Sequence, residues 1–295
     1  MNAVAAQVSA KPFFLKSGDG QRFCLLYSPV GDACKGAFLY VHPFGEEMNK
    51  SRRMAALQAR EFAANGYAVL QIDLLGCGDS SGEFGDASWN AWKDDLALAQ
   101  QWLTQEFAAP VCLWGLRLGG LLALDYAQSA QVEHMLLWHP VLSGSTFLTQ
   151  LLRLRVANAM LSDDKEKNGG GTQALRDALQ SGETLEIAGY DITPHMAKAM
   201  DALDASKLTP TCPINWIEVV SAEGRAMTPA SARVANSWQQ HGVEMKTHTV
   251  ACLQFWATQE ISECPELLTQ TTAILPALFS HPHPDAQHVQ VSHAI

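Results

Sequence analysis

The sequence predicts an α/β protein, a mostly parallel twisted sheet with helices on both faces and a helical insertion. Three observations predict it. Strand-like and helix-like segments alternate along residues 1–142 and 211–280, as chains do when crossover helices cover a parallel sheet. That rhythm breaks only between residues 143 and 210, where helical stretches and a charged, glycine-rich run replace it. The third is VCLWGLRLGGLL, Val111 to Leu122, in which an apolar strand turns through Gly115-Leu116-Arg117-Leu118-Gly119 into an apolar helix. This is the outline of a nucleophile elbow, G-x-S-x-G, with Arg117 at the serine position.

The elements follow in order. PFFLKS and RFCLLYS flank Gly18-Asp19-Gly20 and read as a hairpin between Lys11 and Pro29. GAFLYV (36–41) is a buried strand leading into His42-Pro43-Phe44-Gly45-Glu46-Glu47. A helix with Ala55, Ala59 and Phe62 at helical spacing follows and stops near Gly66. AVLQIDLL (68–75) is the next strand, and Gly76-Cys77-Gly78-Asp79-Ser80-Ser81-Gly82 a tight polar loop. Trp89, Trp92, Leu96, Ala99 and Leu103 alternate spacings of three and four, the clearest helical stripe in the chain. After the elbow come the strand HMLLWH (134–139) and the insertion. Within the insertion LTQLLRLRVANAML is an amphipathic helix, SDDKEKNGGGT a linker, and two helical stretches surround ITPHMAKAMDAL. The sheet resumes with PINWIEVV (213–220), a helix near 229–240, a strand over 243–250 and a last helix over 261–279. Residues 281–295 carry no apolar periodicity and read as a flexible tail.

Composition limits the function classes. At 295 residues with 47% hydrophobic and 17% charged, the chain can bury a large core. A net charge of -10 with scattered Lys and Arg leaves no basic face for nucleic acid. No segment approaches the roughly 20 apolar residues of a membrane span, and there is no apolar leader. The seven cysteines include no C-x-x-C pair and read as buried thiols of a cytoplasmic protein. In the folded part no H-x-x-x-H or comparable spacing suggests a metal, the four histidines of the 281–295 tail read as part of a frayed end rather than a metal site, and no cofactor is implied.

Strand, His42-Pro43-Phe44-Gly45, helix, strand, Asp73-Leu74-Leu75-Gly76-Cys77-Gly78-Asp79-Ser80-Ser81-Gly82, helix, strand and Gly115-Leu116-Arg117-Leu118-Gly119 together resemble the α/β-hydrolase superfamily across the whole chain. The resemblance implies the α/β-hydrolase fold, with residues 143–210 as a helical lid. It also implies an oxyanion hole from backbone N–H groups of the His42 to Gly45 loop, including Phe44 and Gly45, and of Leu118. More closely, HPFGEEMNKSRR, DLLGCGDSSGEFGDASW, LWGLRLG and QFWATQEI resemble the exosortase A system-associated hydrolases of the second type. That family occurs in bacteria that make exopolysaccharide and sort proteins by a PEP-type C-terminal signal. The resemblance implies that setting and a hydrolase label; read as an enzyme, the chain is expected to act on an ester or related bond of a small-molecule, saccharide or acyl substrate.

The chemistry departs from the superfamily's pattern. Arginine is a permanent cation without a usable lone pair, so Arg117 cannot attack a carbonyl as serine does. In the chain order Ser, acid, His, the base belongs just after the last strand. Cys252-Leu253-Gln254-Phe255-Trp256 stands there, and no histidine lies between His248 and His281. Of the acids, Glu223 follows the strand ending at Val220, and Glu218 lies inside it. Two readings of Arg117 remain open. Either it grips an anionic group of a ligand, with His42 as acid or base and His139, Trp256, Glu46 and Glu260 around the site, or it is neutralised internally by Glu46 or Glu260 and simply replaces a lost active site by an ion pair. At the level of function, the alternative to a hydrolase is a non-catalytic protein that binds an anionic ligand or a protein partner. Cys77 reads as a loop thiol, and Ser80 and Ser81 as turn and capping residues.

Overall fold

β1 (Ala10–Ser17) and β2 (Gly20–Tyr27) form the expected antiparallel hairpin, and β2 pairs antiparallel with β4 (Ala68–Ile72). From there every pairing is parallel, through β3 (Ala37–Val41), β5 (Val111–Leu116), β6 (His134–Trp138), β9 (Ile214–Val220) and β10 (Met245–Ala251). The strand order of this eight-stranded sheet is β1-β2-β4-β3-β5-β6-β9-β10. These are features of a computed structural model that describes residues 8–31, 33–161 and 171–279. Most of the glycine-rich linker and the whole 281–295 tail read from the sequence lie outside the described residues. No helix among the described residues is long and apolar enough to cross a membrane.

Each central strand is apolar because both its faces are covered. On one face α1 (Glu46–Ala64) and α8 (Pro265–Ala273) pack over Phe38, Trp114 and Trp138. On the other, α2 (Trp89–Phe107), α3 (Leu118–Tyr126) and α7 (Pro229–Gln240) cover Leu39, Leu113 and Leu137. The helix ends follow local chemistry. Ser88, Thr193 and Thr228 each accept an N–H from the first turn of the helix they precede, α2, α6 (Pro194–Ala202) and α7. Glu46 and Glu47 open α1, where carboxylates favour the dipole.

Between β6 and β9 the chain leaves the sheet for α4 (Gly144–Leu161), α5 (Gly171–Gln180), a two-stranded hairpin of β7 (Leu185–Ile187) and β8 (Tyr190–Ile192), and α6. The hairpin departs from the all-helical reading of this segment. It turns on Ala188 and Gly189, both at positive φ, the backbone that matches the twist of paired strands. Arg176 on α5 ties the insertion together, bonding Asp201 on α6 at 2.9 Å and Thr149 on α4 at 2.7 Å. The last helix also departs from expectation. It starts at Pro265 rather than 261 and breaks before α9 (Leu275–Leu278), so residues 252–264 form a loop after β10.

Candidate functional site

Two loops at the C-terminal ends of parallel strands, β3 to α1 and β5 to α3, meet where this architecture places ligands. The second reverses direction in one residue. Arg117 takes φ 54 and ψ -122, a conformation that costs a non-glycine residue of order 1–3 kcal/mol. The surroundings fix it: its N–H donates to the Trp138 carbonyl at 3.1 Å, and its own carbonyl accepts from Gly120 and Val141, both at 3.0 Å. The flanking glycines are required by close approach. A Cβ at Gly115 would lie 2.5 Å from the Gly120 Cα, and one at Gly119 only 2.2 Å from the Val41 carbonyl oxygen. The Gly-x-Arg-x-Gly spacing therefore records how tightly the elbow helix is pressed on β5 and β3.

The elbow tip does not stand open. The Arg117 Nε lies 3.2 and 3.3 Å from the two carboxylate oxygens of Glu47, and Nη2 lies 3.2 Å from Oε1. Both side chains are mostly buried, 14% and 20% exposed. The Trp256 ring covers the guanidinium at 5.3 Å, an attractive placement for a cation on an aromatic face. Burial pushes the Glu47 carboxyl up from its ordinary value while the Arg117 charge pulls it down.

His139 sits beside them at the end of β6, also at positive φ. Its N–H donates to the Ile217 carbonyl at 2.9 Å, and its Nδ1 accepts the Val219 N–H at 3.2 Å. The ring packs on Trp256, centroids 4.9 Å apart. Glu218, buried in β9, comes within 3.8 Å of Nδ1 but is bound elsewhere, accepting the Trp216 indole N–H at 3.0 Å and the Ser231 hydroxyl at 2.8 Å. Because Nδ1 accepts a backbone N–H, the neutral ring carries its proton on Nε2.

Burial, reinforced by the Arg117 charge, pushes the His139 imidazole down from 6.5 to about 3. The unfolded chain therefore binds more protons than the folded one between those values, and stability falls as pH drops below 6.5. Acidifying from pH 7 to pH 5 is expected to remove about 2 kcal/mol through this residue. His139→Asn should flatten that slope in urea titrations at the two pH values. Glu47 and Glu218, raised by burial above the ordinary 4.5, act in the opposite sense, so the difference between wild type and variant is the readout.

The structure distributes the residues expected at the site unevenly. Arg117, His139, Trp256 and the amide end of α3 at Leu118 come together. His42 is buried with both ring nitrogens committed to backbone: Nδ1 donates to the Pro43 carbonyl at 2.7 Å, and Nε2 accepts the Leu74 N–H at 3.3 Å. The acid–base role expected of His42 thus finds no free ring nitrogen, and the ring instead joins the β3 loop to the segment after β4. Phe44 is packed into an aromatic cluster with Phe84, Trp92 and Phe147 rather than facing solvent. A void of only about 10 Å³ remains between Phe44, Trp89, Trp92 and Leu118. Gly45 lies under the Tyr190 ring, whose hydroxyl donates to Glu46 at 3.2 Å. Glu223 and Glu260 are exposed.

The partner of Arg117 is thus Glu47, where Glu46 or Glu260 was expected. The difference is one position of helix phase. Glu47, Ser51, Met54 and Gln58 recur at spacings of four, three and four, which places Glu47 over the buried face of α1, while Glu46 points outward to Tyr190. Nor does the sequence place Glu218 beside His139, 3.8 Å away and bonded to Trp216 and Ser231. Its signal was an acidic residue inside an otherwise apolar strand. Finally, Cys252 and Cys264 form a disulfide that closes the loop carrying Trp256, where all seven cysteines were expected as free thiols. Twelve positions separate them, a spacing with no motif to announce it.

Comparisons with known proteins agree with this geometry. Residues 32–177, from before β3 through the elbow into the insertion, match the family described as serine aminopeptidase, S33. No curated protein sequence matches the chain. Among solved structures, Est1E from Butyrivibrio proteoclasticus with bound ferulic acid is similar with a TM-score of 0.63 at 12% identity, covering 91% of this chain and all of that one, 100%. A thermostable carboxyl esterase from Bacillus coagulans in complex with glycerol gives 0.62 at 16% identity, covering 92% and 100%. A soluble variant of monoglyceride lipase from Saccharomyces cerevisiae gives 0.58 at 14% identity, covering 92% and 96%. Strand order, elbow backbone and these similarities together make the chain an α/β-hydrolase-fold protein.

Proposed function

We propose that this chain is a hydrolase-superfamily protein of the exosortase A and exopolysaccharide setting whose elbow recognises an anion instead of carrying a nucleophile. The observation that carries the reading is Arg117 at the elbow tip, oriented by Glu47 and covered by Trp256. A fixed cation at the head of α3, beside helix amides that have no intrahelical partner, favours a negative group. The position that would supply a base is taken by Trp256, and His42 is bonded at both nitrogens. The ligand is then a small molecule with an acyl or saccharide body, and the insertion between β6 and β9 acts as its lid. A cytoplasmic location belongs to this proposal.

A second reading, hydrolysis of an ester or related bond by activated water, is favoured by the match to a peptidase family over residues 32–177. The test is turnover of an ester panel by wild type and Arg117→Ala, with a fluorophosphonate probe alongside. Binding without turnover is expected, together with no covalent capture by the probe. Rates beyond the roughly 10³–10⁴-fold left by oxyanion donors and binding alone would overturn the anion-recognition reading. Arg117→Ser is a sharper form of the same experiment. It restores the nucleophile but not a base, and is expected to remain below that level; vigorous hydrolysis would reveal a base elsewhere.

A further inference from the structure

The Arg117 fork is only half used. Glu47 holds its Nε and Nη2 edge, and among the described residues no hydrogen bond is formed by Nη1. A guanidinium has five N–H groups, so its Nη1 and Nη2 end keeps donors for a second acceptor. Next to it, His139 is fixed by Ile217 and Val219, and the Nε2–H that this arrangement leaves has no acceptor among the described residues. A charged, planar donor pair and a neutral single donor thus both lie against Trp256, each anchored by its own neighbours and each with an N–H that no described residue accepts.

We infer that this site takes a small monocarboxylate carrying an acyl chain, with its carboxylate on the Nη1 and Nη2 end of Arg117 and the Nε2–H of His139. Carboxylate geometry matches the fork. The local charge selects a monoanion. Glu47 and Glu218 already place two carboxylates beside Arg117 and His139, so repulsion grows with each negative charge on the ligand and a dianion is disfavoured against a monoanion held by directed hydrogen bonds. The loop closed by Cys252 and Cys264 supplies apolar surface, with Trp256 inside and Leu253 and Ile261 exposed at 66% and 63%. Glu47 acts here as a positioning residue that aims the free end of the fork. The inference rests on the anion-recognition reading and adds to it the ligand class and the role of His139.

The experiment titrates the whole protein with hexanoate, phosphate and methyl hexanoate by calorimetry, and follows the histidine ring nitrogens by NMR in the wild type. Hexanoate should bind, phosphate at least tenfold more weakly, and the uncharged ester not measurably. Hexanoate should shift the protonated Nε2 of His139, a signal a purely structural histidine would not give. Arg117→Lys keeps the charge but loses the fork and should weaken hexanoate more than tenfold. His139→Phe should weaken it about tenfold. His139→Asn, which keeps both an acceptor for Val219 and a donor and tolerates positive φ, should restore affinity to within about threefold. Phosphate binding that depends on Arg117, without hexanoate binding or a His139 shift, would overturn this inference and leave anion recognition standing. Absence of any Arg117-dependent anion binding would overturn both.

Discussion

Arg117→Met is expected to destabilise the fold by about 3 kcal/mol, whereas Glu47→Leu combined with Arg117→Met costs much less. The single change leaves a carboxylate with no cation in a place that is largely shielded from water, and removing one partner of such a pair is worth roughly 3–5 kcal/mol. The double change replaces the pair with apolar groups of similar length beside Trp256, and the desolvation that opposed the pair disappears with it. The backbone strain at Arg117 is unaffected, since Met and Arg have the same difficulty at φ 54. A double-mutant cycle by urea unfolding measures the coupling. A coupling under about 0.5 kcal/mol would mean that the pair is screened like an exposed one, and the anchoring assigned to Glu47 would fail.

That prediction depends on Arg117, which the sequence places at the elbow turn but pairs with Glu46 or Glu260 instead of Glu47 in the first turn of α1, and the reason is physical. Fold class was legible because β3, β5 and β6 are continuous apolar runs and α2 carries a three-four stripe, both local signals. The elbow was legible because two glycines are forced by backbone contact at Gly115 and Gly119, whatever residue stands between them. The site was less legible because its bonds join residues far apart in sequence. Glu47 and Arg117 are 70 positions apart, and nothing local tells Glu46 from Glu47 except helix phase. His42 was attractive as a lone histidine at a strand end, yet its ring serves the backbone of Pro43 and Leu74. The β7 and β8 strands are three residues each, too short for a period-two pattern to declare itself.

Removing the disulfide with Cys252→Ala and Cys264→Ala is expected to cost about 3 kcal/mol, the chain-entropy value for a loop of roughly this length. The effect should reach the site, because the closed loop carries Trp256 across both Arg117 and His139. Cys264 is fully buried at the start of α8, so that end of the loop stays anchored by packing. The β10 end, at half-buried Cys252, gains the freedom. The loss of Trp256 from the guanidinium face should therefore accompany the loss of stability, seen as a changed indole signal for Trp256 by NMR in the double variant. Thermal melting with and without a dithiol reductant gives the same comparison on the wild type. Thiol titration of the denatured protein should count five thiols before reduction and seven after. Seven at the outset in protein recovered under alkylation would show that the bond is absent from the native chain and would overturn this prediction, with Trp256 then held by packing alone.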